Sequence, residues 1–141
     1  MTWIAWALLS AFFAGVTAVL AKIGVEGVDS SLATAIRTMV VLVFTWAIAL
    51  TVAPRGMLAT LSRHTWLFLT LSGIATGLSW LCYFRAIQLG PVSRVAPIDK
   101  LSVVFAILLA ALILRERLTW QHAAGGTLIV AGALILAWKA A

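Results

Sequence analysis

The chain has 141 residues, 64% of them hydrophobic and only 10% charged, with a formal net charge of +6. A soluble domain carries about 25% charged residues, and a mean hydropathy of +1.13 leaves too little polar surface to face water. The bilayer is the remaining solvent, and the positive charge therefore points to headgroups and topology rather than to nucleic acid.

A helix rises about 1.5 Å per residue, so crossing a hydrocarbon core of about 30 Å takes roughly 20 apolar residues. Uncharged runs predict five such spans, at about Trp3–Ile23, Ser31–Val52, Thr65–Gln88, Val95–Leu114 and Thr119–Trp138. The fold class expected is an all-α integral membrane protein, with residues 1–141 forming a single five-helix domain. The runs are too long and too uniformly apolar for the alternation of a barrel wall. The first span is longer than the usual 7–15-residue core of a signal peptide and has no base before Lys22, so it reads as a true span.

Short links join the spans. Gly24–Ser30 (GVEGVDS) is a polar turn, with Ser30 or Ser31 as the expected cap of the second helix. Ala53–His64 is the longest link, and Pro54 and Gly56 end the helix before it. Gly90 and Pro91 break the chain again, and RERL (Arg115–Leu118) makes a tight basic link. None of these links has room for a nucleotide-binding or catalytic domain. There is no Ser–His–Asp arrangement, phosphate loop or zinc spacing, so the expectation is a non-enzyme with no metal and no cofactor. His64 and His122 are isolated, and Cys82 lies alone in the third span.

Five spans put the two termini on opposite sides of the membrane. A second copy of such a unit, inserted upside down, would complete the geometry of inverted-repeat transporters. The N-terminal side carries Arg55, Arg63, Arg115 and Arg117, and the other side carries Lys22, Arg85, Arg94 and Lys139. Arg37 and Lys100 lie toward that second side. The balance is close enough to suggest dual topology, with copies pairing antiparallel; a single orientation set by other factors is the alternative.

Three features carry candidate chemistry. Pro97, Asp99 and Lys100 open the uncharged run of the fourth span. Either the helix starts at Pro97, where the missing N–H is harmless and the dipole favours an acid, or it starts near Ser93 and carries the pair about 9 Å deep. Adjacent helical residues point about 100° apart, so Asp99 and Lys100 are not expected to neutralise each other simply. Arg37, six residues inside the second span, either snorkels to the interface or pairs with Asp99, which lies toward the same membrane side at similar depth; its planar fork would also suit an anion or a carboxylate. Ser72, Thr76, Ser79 and Tyr83 share one face of the third span, with Trp80 beside them. That face is either a packing surface, as the Gly73–Gly77 pair suggests, or a cavity wall with an aromatic platform. The fifth span, with Gly125, Gly126 and Gly132, reads as a smooth surface for packing or dimer contact.

The stretch YFRAIQLGPVSRVAPIDKLSVVFAILLAALILRERLTW, followed by AAGGTLIVAGALILA, resembles the EamA-type family of the drug/metabolite transporter superfamily. WALLSAFFAGVTAVLAKIGVEGV is similar to that family's first helix and turn. Where the family usually has a glycine before the ERL of Glu116–Leu118, this chain has Arg115; where longer members carry a deep proline in the fourth helix, it has Val103, with Pro97 earlier. The resemblance implies a secondary transporter of small metabolites or drug-like compounds in the bacterial inner membrane. Larger members fuse two inverted five-helix repeats around a central cavity built mainly from the first, third and fourth helices, with the fifth outside. A single repeat would act as a homodimer, with substrate between the third and fourth helices of two chains and access alternating. The candidate substrate-binding or coupling residues are Asp99, Lys100, Arg37, Trp80, Tyr83, Ser79 and Thr76, with Asp99 as a proton carrier. The alternatives are a flippase or exporter half for a lipid-linked substrate, and a non-transporting membrane scaffold.

Overall fold

The computed structural model describes residues 2–54 and 56–138. Arg55 and Lys139, two of the bases in the topology count, lie outside the described residues. Every described element is helical: α1 (Trp3–Gly24), α2 (Ser30–Val52), a 3-10 turn (Met57–Thr60), α3 (Arg63–Leu89), α4 (Val92–Asp99), α5 (Ser102–Ile113) and α6 (Trp120–Ala137). Five stretches are long and apolar enough to cross a membrane, with α4 and α5 together making the fourth, Val92–Ile113. The chain is an integral membrane protein.

Helix ends follow local chemistry. The cap of α2 is Asp29 rather than Ser30 or Ser31: its Oδ1 accepts from the Ser31 N–H at 2.9 Å and the Leu32 N–H at 3.1 Å. Ser30 and Ser31 are already inside the helix, one and two positions past the cap. Ser62 Oγ accepts from the Thr65 N–H at 3.1 Å before α3. His122, isolated in the sequence, helps to cap α6, where its Nδ1 accepts from the Thr119 N–H at 3.1 Å. Beyond the Leu114 cap of α5, Arg115 stands at φ 56, left-handed backbone at the place where the resemblance has a glycine, and the Glu116 N–H turns back to the Ala110 carbonyl at 3.3 Å.

The chain divides into two compact units. One runs from Ala21 to Gln88. Its core lies where the α1–α2 turn meets the end of α3: Val25, Phe84 and Ile87 are buried there, and Ser30, Ala33 and Thr34 are buried at the start of α2. The other comprises the residues up to Leu20 and those from Leu89 onward. Within it α6 packs on α4 and on α5, with Gly126 and Ala133, one heptad apart, buried. Elsewhere the long apolar side chains are uncovered, as lipid-facing surface should be. At Gly73 and Gly77, which suggested the packing alternative, an added methyl group would meet nothing within 4 Å among the described residues.

Candidate functional site

In the Ala21–Gln88 unit, α2 and α3 meet through side chains. Arg37 is one turn beyond Ala33 and Thr34 on the buried face of α2. Its guanidinium carbon lies 4.1 Å from the centroid of the Trp80 ring and 5.6 Å from that of Phe84. Trp80 and Phe84 are four residues apart, so α3 presents their rings on one side. Phe84 is buried in the same unit as Ala33 and Thr34. The sequence placed Arg37 and Trp80 among the candidates separately; the structure brings them together and adds Phe84, which the sequence reading missed although its i, i+4 spacing from Trp80 is visible there.

The hydroxyl face of α3 lies one residue, about 100°, away from that packing line. Ser72, Thr76 and Ser79 are exposed, and Tyr83 is half-buried with its ring edge-to-face against Phe84 at 6.5 Å. The Thr76 hydroxyl donates to the Ser72 carbonyl at 2.9 Å, so its proton is held within the helix while its oxygen can still accept. Ser31, Thr34, Thr38, Gly77 and Leu81 contribute to a surface groove of about 350 Å³ between α2 and α3.

Asp99 and Lys100 belong to the other unit. Helix α4 starts at Val92, so the earlier of the two expected starts holds and Asp99 lies about 10 Å along the helix. Pro97 is inside α4, where it has no N–H to offer the Ser93 carbonyl. Just beyond it the backbone tightens. The N–H groups of Leu101, Val103 and Val104 donate three residues back, to Ile98 at 3.0 Å, Lys100 at 3.1 Å and Leu101 at 2.9 Å. A 3-10 step joins α4 to α5 at this point. One expectation fails here: Lys100 Nζ lies 3.6 Å from Asp99 Oδ2. Lys100 sits at the helix end, in the tightened turn, and its long stem swings back to its neighbour.

The comparisons with known proteins agree with this architecture. Over 136 residues the chain is 49% identical to a Sinorhizobium protein named as an uncharacterized transporter in the cobO 3' region, covering 96% of each chain. It is also similar to two proteins of Erwinia tasmaniensis, each named as a probable 4-amino-4-deoxy-L-arabinose-phosphoundecaprenol flippase subunit. Identity with ArnF is 40% over 77 residues, 53% of this chain and 59% of that protein. Identity with ArnE is 37% over 74 residues, 52% of this chain and 68% of that protein. No solved structure is significantly similar to the chain. A profile of the EamA-like transporter family matches residues 1–138, and the chain belongs to that family.

Proposed function

We propose that this chain is one subunit of a bacterial inner-membrane transporter that moves small metabolites or drug-like compounds by alternating access, and that two copies pair to do so. The observation that carries the reading is the uncovered hydroxyl face of α3. Ser72, Thr76 and Ser79 lie within a spanning helix, yet their own chain leaves them open. Hydrocarbon is a poor neighbour for hydroxyl groups, whereas a second copy or a wet cavity satisfies them. In this reading Thr76, Ser79, Tyr83 and Trp80 line the wall that substrate meets, and Arg37 supplies its positive charge. Asp99 is the proton carrier, held by Lys100 on the tightened turn between α4 and α5, where a break in regular hydrogen bonding allows movement.

The flippase-subunit names of the two Erwinia relatives favour a second reading, in which the cargo is a lipid-linked headgroup. The α2–α3 surface groove would then give the headgroup a path beside the lipid. Purified protein in liposomes loaded with the pH dye pyranine separates the two. Proton flux evoked by amino acids, sugar phosphates or quaternary ammonium compounds supports the first reading. Transbilayer movement of a fluorescent polyprenyl phosphate without solute flux supports the second. Neither activity would leave the scaffold.

A further inference from the structure

Arg37 is a cation inside a spanning helix whose neighbours are two aromatic rings. Among the described residues of the Ala21–Gln88 unit no carboxylate pairs with it, and Asp29 is taken up as the cap of α2. An indole face attracts the cation without accepting conventional hydrogen bonds, so the five N–H groups of the guanidinium keep their capacity to donate elsewhere. A charge within a spanning helix is costly to insert and calls for a partner of opposite sign, which the described residues of its own unit do not supply to Arg37. The flat fork matches an oxyanion that can accept two parallel hydrogen bonds, as phosphate and carboxylate do. Contact with Trp80 holds the guanidinium in place in advance, which reduces the ordering that binding requires.

We infer that Arg37, stacked on Trp80, is an oxyanion-binding site, and that the transported compound carries a phosphate monoester or a carboxylate. The second half of this inference rests on the transport reading above; the first half does not. A soluble phosphate and the phosphate of a lipid headgroup present the same chemistry to the fork, so the test has an arm for each.

The test is calorimetric titration of the full chain in nanodiscs of neutral phosphatidylcholine. The probes are phenyl phosphate and benzoate, with benzyl alcohol as the uncharged control. The expected result is saturable binding of the anions and none of the alcohol. Arg37→Gln should weaken anion binding by about tenfold or more, the loss of one charge-assisted pair. Arg37→Lys keeps the charge without the fork and should fall between the two, with circular dichroism checking that both variants fold. Equal binding by Arg37→Gln, or no saturable binding by the unaltered chain, overturns the site. In a second arm, phosphatidylglycerol replaces part of the lipid. If only the lipid headgroup binds, and soluble anions never do, Arg37 is a lipid anchor and the inference fails. Binding without any solute flux would sink the transport reading alone; flux that Arg37→Gln leaves intact would sink the second half of the inference and leave the binding site standing.

Discussion

Lys22 Nζ donates to the Ile87 carbonyl at 2.6 Å, fastening the last turn of α1 to the last turn of α3. Gln88 ties the same place in the opposite sense, its Nε2 donating to the carbonyls of Val25 at 3.3 Å and Val28 at 2.5 Å. Final helical carbonyls have no partner of their own, so Lys22 supplies a donor where α3 lacks one. The bond is partly buried beside Val25 and Ile87, which shields it from competing water. Lys22→Met keeps the stem and removes the donor. It is expected to cost about 1–3 kcal/mol, read as a lower melting temperature in mild detergent. An unchanged melting temperature would mean that the lock contributes nothing.

Asp29 makes the start of α2 sensitive to acid. The N–H groups of Leu32 and Ser31 bond its carboxylate and hold its pKa below the usual carboxylate value. A depressed folded-state pKa contributes stability that is present above the unfolded value of about 3.9 and is lost as pH falls through the folded value. Melting temperatures between pH 6 and pH 2 should therefore decline on the acid side. Asp29→Asn, which caps without a charge, should show a shallower decline over the same window, and Asp29→Ala should be less stable at neutral pH.

Arg115 occupies left-handed backbone at φ 56, where a side chain with a Cβ is strained by about 1–2 kcal/mol. Arg115→Gly relieves that strain, less the extra freedom glycine has when unfolded. A net gain of up to about 1 kcal/mol is expected, visible as a higher melting temperature. A lower one would show that the Arg115 side chain holds something the backbone does not reveal.

On the proposed transport reading, substitutions at Pro97 and Asp99 separate stability from flux. Pro97→Ala restores an N–H to the α4 ladder and should add up to about 3 kcal/mol, while slowing solute flux because the tightened turn loses its cause. Asp99→Asn breaks an ion pair whose side chains are 58% exposed at Lys100 and 38% at Asp99. It should change stability by less than about 1 kcal/mol and abolish proton-coupled flux in the liposome assay. Normal coupling in Asp99→Asn would remove Asp99 from the mechanism.

Hydropathy alone located the membrane helices, because a spanning helix is a property of its own residues: length and apolarity suffice, and every backbone bond is internal. The end of α3 was harder to read. Lys22 and Gln88 are far apart in the chain, and nothing in either segment announces that one reaches the carbonyls of the other's neighbours. Caps were legible only to within a residue, since Asp29, Ser30 and Ser31 all have cap chemistry and backbone geometry selects among them. The candidate residues included Arg37, Trp80, Asp99 and Lys100 because charge and aromatic rings are conspicuous in an apolar chain. Tertiary structure alone seated Arg37 on Trp80, since that depends on how α2 faces α3. It also turned the hydroxyl face of α3 away from the packing line, and it joined Asp99 to Lys100 across a turn that regular helix geometry would have kept apart. Local sequence determines where a chain enters the membrane; which side chains meet there is decided by contacts between segments, and those depend on shapes that no single segment contains.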